Sequence, residues 1–284
     1  MGHVEWVRFA RVPLVPRAGE VMHAYDSFEE PAGGGAVAAV QLARLAGEAV
    51  LVTALGEDEH GARTVARLEG LGVHVWAARR SVPTRAAVTL VDDEGERTIT
   101  TFGPRLEPKL EDAEIPWSLL REMDAVYFTA GDVGALRAAR AARVLVSSPR
   151  ALDALAHGVE LDALVLSADD AVERREAVRT REETRLVVST EGAHGGAYRQ
   201  RAGVSGRWDP AAPPTMAPDE HGDSYGCGDS FAAGLTYGLG MGLPVPEALE
   251  LAARCGAVCF TGRGPYQRQL TGAELGGVAG DPSQ

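Results

Sequence analysis

The chain of 284 residues is 45% hydrophobic and 24% charged, an ordinary globular balance with ample material for a core, and its length fits either two average domains or one large α/β domain. A net charge of −12 argues against nucleic acid as the main partner, which would favour a basic face. No apolar run reaches the ~18 residues of a membrane span, and Met1 to Ala10 carries Glu5 and no long apolar stretch. No membrane partner and no secretory signal are therefore expected, and the cytoplasm is the expected location.

In chain order, apolar runs alternate with helical patterns. Val4–Phe9 reads as a strand and Gly35–Ala46 as a helix; Ala49–Leu55 is a strand, His60–Leu71 a helix and Val73–Ala77 a strand. Arg85–Val91 and Glu96–Phe102 read as strands around the turn Asp92-Asp93-Glu94-Gly95, hence a hairpin. Ala125–Thr129, Val144–Ser147, Ala163–Ser167 and Leu186–Thr190 are short strands separated by helix-length segments. Trp208–Pro218, with four prolines, reads as a loop or edge strand, Val245–Thr261 as a closing helix and Gly272 onward as a ragged end. This alternation predicts a mostly parallel sheet covered by helices on both faces. The polar, proline-punctuated Val12–Glu30 and the hairpin break the rhythm, which predicts a lid or an oligomer surface over the ligand edge of the sheet.

The inventory of reactive side chains narrows the chemistry. Lys109 is the one lysine, in the turn-like Leu106-Glu107-Pro108-Lys109, and no Gly-x4-Gly-Lys-Ser/Thr occurs, so bound phosphates must be held by backbone amides, arginine or metal. Cys227, Cys255 and Cys259 form no Cys-x-x-Cys pair, and none of the seven histidines pairs at His-x3-His spacing, which leaves a zinc site without support. Gly33-x-Gly35-x-x-Ala38 fits a dinucleotide fingerprint only superficially, because the polar Tyr25–Pro31 stands where a buried strand should lead into it.

The most informative stretch is Gly222–Gly234, where Gly226 and Gly228 flank Cys227 and lead into a helix with Phe231, Leu235 and Leu239 on one face. The first turn of such a helix offers free N–H groups and a positive dipole end, and glycines let an anion approach them. Asp229 lies in the same turn, where it could accept a proton from an attacking hydroxyl. An anion cradle beside a base is what phosphoryl transfer to an alcohol requires.

Asp223-Ser224-x-Gly226-x-Gly228-Asp229 resembles the C-terminal motif of the ribokinase-like (PfkB) carbohydrate kinases, usually written D-T-x-G-A-G-D. Four further segments resemble that family in its order: Ala32-Gly33-Gly34-Gly35 with Leu42–Leu45, Gly56-Glu57-Asp58-x-x-Gly61, the hairpin segments Pro83–Ala86 and Gly95–Ile99, and Thr190-Glu191-Gly192-Ala193-His194-Gly195. The resemblance spans nearly the whole chain. It implies a single α/β domain over 1–284, a three-layer αβα sandwich with a mostly parallel central sheet and a small β lid from about 12–30 and 85–102. It also implies an ATP-dependent kinase acting on a hydroxymethyl group of a small sugar or related polyol. Asp229 would be its base, and the amides of Gly226, Cys227 and Gly228 would hold the transferring phosphoryl group. Thr190, Gly192 and Gly195 would contact ATP, and Gly33 and Gly34 the sugar. Mg²⁺, often a monovalent cation, and homodimers formed through the lid are implied as well.

Four positions depart from the family pattern. Val37 stands where an asparagine is expected, and only Glu5 can replace an aspartate of the first strand region. Ser167-Ala168-Asp169-Asp170 aligns with the Mg²⁺-linked Asn-x-x-Glu, leaving Asp170 as the metal candidate. These changes keep two alternatives in view, a nucleoside kinase of the same fold and a non-catalytic regulatory protein that binds nucleotide or sugar. Arg263, in Gly262-Arg263-Gly264-Pro265, is read either as facing the nucleotide or as part of a helix stop.

Overall fold

The computed structural model describes residues 1–179, 183–217 and 221–276. In chain order these form β1 (Glu5–Arg11), β2 (Asp26–Ala32), α1 (Gly34–Ala46), β3 (Ala49–Gly56), α2 (Glu59–Glu69), β4 (Val73–Arg80), β5 (Ala86–Val91) and β6 (Arg97–Phe102). There follow β7 (Ala125–Phe128), α3 (Val133–Ala139), β8 (Val144–Ser147), α4 (Leu152–Leu155), β9 (Leu161–Ser167), α5 (Ala171–Arg179) and β10 (Thr184–Thr190). The chain continues through β11 (Gly196–Gln200), β12 (Ser205–Trp208), α6 (Cys227–Gly240), α7 (Val245–Phe260) and α8 (Gly272–Gly276). Of the expected loop at 208–218, Pro218 lies outside the described residues, as do residues 277–284 of the expected ragged end.

Strands β7, β8, β9 and β10 pair in parallel, and β11 and β12 extend that sheet antiparallel in the order β12-β11-β10-β9-β8-β7. A parallel pair, β3 and β4, lies beside it. Residues 1 and 2 join the two. The Met1 amine donates to the Tyr127 carbonyl at 2.7 Å, Thr129 N–H to the Met1 carbonyl at 3.0 Å, and Gly2 N–H to the Val52 carbonyl at 3.1 Å. Alternation along the strands then defines three layers. Val126, Phe128, Leu145, Leu164 and Leu166 pack with Leu136 of α3 and Ala177 of α5. Tyr127, Val144, Val146, Ala163 and Val165 face the other way, against Ala38 of α1, Phe231 and Leu235 of α6 and Leu249 of α7. Helices α6 and α7 approach closely at Gly234, where an added Cβ would lie 2.7 Å from Cys255 Sγ.

The remaining strands form a separate four-stranded sheet in the order β2-β1-β5-β6. It contains the expected hairpin, β5 against β6, and it also takes in β1, which pairs antiparallel with β2 and parallel with β5. Strand β2 falls within a stretch whose acidic residues hide its β character. Their charges are matched across the surface: Glu29 accepts from Arg8, and Glu30 accepts two bonds from Arg67, both at 2.7 Å. Beneath them Phe28 stacks on Phe9, ring centroids 4.7 Å apart.

Candidate active site

The glycine-rich stretch builds the centre of the site. Gly226 is the N-cap of α6 at φ 85°, a left-handed conformation that glycine adopts without strain, and no side chain caps the helix. Cys227 N–H turns back to the Ser224 carbonyl at 3.4 Å, while Gly228 is exposed, with open space where a side chain would stand. Val37, which replaces the expected asparagine, is fully buried in this wall; its Cγ1 lies 3.0 Å from where a Cβ on Gly226 would be. Position 37 therefore packs the loop.

Asp229 sits in the first turn of α6, directly across from the turn into α1. A Cβ at Gly34 would come within 3.0 Å of Asp229 Oδ1 and 3.3 Å of Thr129 Oγ1, so a larger residue there would crowd the carboxylate. Burial pushes the Asp229 carboxyl above the ordinary carboxylate range; Arg150 and Arg97 oppose that rise, and Glu173 adds to it. The two glycine turns are tied together, since Gly33 N–H donates to the buried Tyr225 hydroxyl at 3.3 Å.

Asp223, wholly buried, locks the loop from behind. Its Oδ1 accepts from Tyr225 N–H at 2.9 Å and its Oδ2 from Gly264 N–H at 2.8 Å, with Arg11 at 3.7 Å. The outer sheet reaches the same loop through its hairpin. Ser224 N–H donates to the Gly95 carbonyl at 2.9 Å, and Arg97 donates to the Ser224 hydroxyl at 3.0 Å. The Cys227 thiol is held well above the ordinary thiol range, first by its contact with the Cys259 thiol and then by burial, which suits a packing residue and not a nucleophile.

Glu5, on β1, is buried and lies 3.3 Å from Arg85, and burial raises its carboxyl against the pull of Arg85 and Arg105. His3, next to Gly33, is buried too. Burial and then the fields of Arg105, Arg150 and Arg85 hold its pKa well below 6.5, so the imidazole is neutral.

The second half of the site lies at the carboxyl ends of β9 and β10, the edge at which parallel sheets bind ligands. Thr190 ends β10 beside Ser167 of β9, and the turn that follows closes with Glu191 N–H on the Gly195 carbonyl at 2.8 Å. Gly192 faces open space, and Gly195 abuts the Trp208 carbonyl. The Trp208 ring stacks on Phe231 in α6 with centroids 5.6 Å apart, which connects this turn to the helix that carries Asp229. His194 is exposed. Arg263 pairs with both oxygens of Asp26 and covers the Phe28 ring at 3.8 Å.

Asp170 caps α5, its Oδ1 accepting from Val172 N–H at 2.8 Å and Glu173 N–H at 3.1 Å. Among the described residues no group of three or more His, Cys, Asp or Glu side chains could hold a metal ion. This donor set is no protein cage and fits only an ion carried mainly by phosphate oxygens. Arg105, Arg150, Glu173 and His3 were not among the residues the sequence pointed to, and Asp223 stood in its motif without an assigned role. Only Asp223 carried a local signal, as the first residue of its motif.

A family model described as pfkB family carbohydrate kinase matches residues 2–156 and 154–271. The chain belongs to the pfkB family of carbohydrate kinases. As a member it is a kinase, a phosphotransferase acting on sugars. An ATP-dependent ribose-1-phosphate kinase from Halopiger xanaduensis is 30% identical over 273 residues, covering 90% of this chain and 89% of the relative. Ribokinase from Thermotoga maritima superposes with a TM-score of 0.75 at 20% identity, over 97% of this chain and 96% of that one. Arabidopsis thaliana ribokinase, in complex with ribose and ATP, superposes with a TM-score of 0.68 at 18% identity, over 93% and 92%. The three-layer α/β architecture is that of ribokinase. No helix among the described residues is long and apolar enough to cross a membrane.

Proposed function

We propose that this pfkB kinase transfers the γ-phosphoryl group of ATP to a hydroxymethyl group of a small sugar or related polyol. The observation that carries this reading is the carboxylate of Asp229, in the first turn of a helix whose N-terminus no side chain caps, facing a backbone stripped of side chains at Gly34. Asp229 takes the hydroxyl proton while the hydroxyl oxygen bonds to the γ-phosphorus and the bond to the β,γ-bridging oxygen breaks, leaving ADP. Amides of Gly226, Cys227 and Gly228 receive the charge on the transferring group. Thr190, Gly192 and Gly195 contact the nucleotide, and Gly33, Gly34 and Glu5 the sugar. The Arabidopsis ribokinase complex with ATP supports this choice of donor.

Mg²⁺ neutralises the triphosphate when bound, with Asp170 offering a carboxylate from the cap of α5 and phosphates supplying most ligands; a monovalent cation is a further expectation. The four-stranded sheet serves as the lid, a role supported by its hairpin turn resting on Ser224. Its outer strand β6 is exposed at every residue, including Ile99 and Phe102, which supports a homodimer through that face. Three free thiols support a reducing, cytoplasmic setting.

The names of the relatives span a free sugar and a sugar phosphate, and both present a primary hydroxyl. The test is ATP consumption with neutral sugars, sugar monophosphates and nucleosides, each run beside Asp229→Asn. Sugar-dependent ADP release that the variant loses supports the reading. Turnover on nucleosides alone would replace the acceptor, and no turnover with ATP still raising the melting temperature would make this a nucleotide-binding regulator.

A further inference from the structure

The glycine-rich loop rests on a charge that its own segment does not supply. Asp223 is wholly buried, and its two oxygens accept the N–H groups of Tyr225 and Gly264. A carboxylate withdrawn from water needs a counter-charge as well as hydrogen bonds. Among the described residues one cation lies within ion-pair distance of it: Arg11, with Nη2 3.7 Å from Asp223 Oδ2.

Arg11 comes from a different part of the fold. It is the last residue of β1, in the four-stranded sheet, and its carbonyl accepts Tyr25 N–H at 3.0 Å. Its side chain is only 10% exposed and donates to the His221 carbonyl at 3.5 Å, while its Nε is buried without a hydrogen-bond partner. Contacts this long and few leave charge as its main contribution to the loop. Asp26, which faces Arg11 across the β1–β2 ladder, has both oxygens held by Arg263, so Arg11 is left to Asp223. Two residues earlier on β1, the Phe9 ring meets Tyr225 edge-on with centroids 4.9 Å apart. The end of β1 therefore supports the loop at two consecutive inward positions.

We infer that Arg11 is a positioning residue for phosphoryl transfer, a resident cation behind the loop that keeps the Gly226, Cys227 and Gly228 amides aimed at the transferring group. It acts through Asp223. One Asp223 oxygen fixes the N–H of Tyr225, and Tyr225 directly precedes the left-handed Gly226 that begins α6. The inference rests on the phosphotransferase reading of Asp229 and names what sets the geometry of its anion cradle.

Steady-state kinetics of the full chain, with an acceptor from the panel above that supports ADP release, test this. Amides that meet their charge only in the transition state affect kcat and not KM. In Arg11→Met, kcat should fall at least about tenfold, with the KM for ATP and acceptor within about threefold of wild type. Arg11→Lys keeps the charge and should retain part of the rate. Arg11→Ala leaves room for a small cation, so guanidinium chloride at tens of millimolar should raise its kcat severalfold over sodium chloride of equal ionic strength. Wild type should show no such response. A purely structural role would lower the melting temperature without this rescue. Should the single Arg11 variants fold poorly, Arg11→Met combined with Asp223→Asn removes both buried charges, and its kcat should lie no lower than that of Asp223→Asn alone. Unchanged kcat in Arg11→Met, a loss that guanidinium does not relieve, or additive losses in the double variant would overturn the role of Arg11; Asp229→Asn, still inactive, would leave the kinase standing. Asp229→Asn indistinguishable from wild type would overturn both.

Discussion

Asp58 holds Thr84 through both carboxylate oxygens: Thr84 Oγ1 donates to Oδ1 and Thr84 N–H to Oδ2, each at 2.7 Å. The same Oδ1 caps α2 by accepting Gly61 N–H at 2.8 Å, and Gly56 N–H donates to the Thr84 hydroxyl at 3.0 Å. The Gly-x-Asp-x-x-Gly motif is thus a clamp on the residue from which the chain enters β5. Asp58→Ala removes three bonds, one of them the cap of α2, and is expected to cost about 2 kcal/mol of unfolding free energy. Urea denaturation reads this, and an unchanged midpoint would show the clamp to be idle. Acceptor KM should rise as well, since β5 belongs to the sheet proposed as the lid.

Asp229→Asn keeps the shape of the first turn and removes the base. Turnover should fall about 10²- to 10⁴-fold with little change in melting temperature. The pH profile carries a sharper test. The reactive form is the carboxylate, and its pKa in the folded protein is raised, so kcat/KM climbs as pH rises through that elevated value. Arg150 opposes the elevation, so Arg150→Met should shift the acid limb to still higher pH. A limb that stays in place would disconnect Arg150 from the base.

Gly226→Ala places a side chain at φ 85° and 3.0 Å from Val37 Cγ1. The backbone alone should cost about 1–2 kcal/mol. Adding Val37→Ala relieves the contact and not the dihedral. Calorimetry of the single and double variants should therefore show partial recovery; full recovery would mean that the left-handed conformation was never a constraint.

His3 links stability to pH. In the unfolded chain the imidazole takes up a proton as pH drops through 6.5, whereas the buried native imidazole does not until far lower. The unfolded state binds more protons in that window, so stability falls with acidification by up to about 1.4 kcal/mol per pH unit. His3→Gln should flatten the slope between that ordinary value and the lowered native one. Equal slopes in both proteins would place the dependence elsewhere.

The parallel strands were legible because each centres on a short apolar run, and β8 is buried at every residue. Strand β8 occupies the expected Val144–Ser147. Strand β2 was not, since its sequence is acidic and its partners, Arg8 on β1 and Arg67 on α2, lie far along the chain. The site divides the same way. Asp229, Gly226 and Gly34 belong to short motifs whose spacing announces an anion and a base. Arg105 and Arg150 belong to no motif and acquire meaning only when loops after β6 and β8 meet at Thr129. Arg263, which the sequence left open between two readings, is held by Asp26 on another strand, a partner that only the fold brings near.

Met1 and Gly2 join strands that are far apart in sequence, with bonds to Val52 on one side and to Tyr127 and Thr129 on the other. During synthesis residues 1 and 2 must therefore wait for more than a hundred later ones before the central sheet can close around them, a separation of 126 positions in the case of Tyr127. Such long-range closure is slow, because chain entropy is lost before the contacts that reward it form. Until β7 is released, residues 1 and 2 lack their partners on its side, and backbone left unpaired at a sheet edge is the surface on which strands of different chains can pair. The nascent chain's most vulnerable interval is thus set by this two-residue seam.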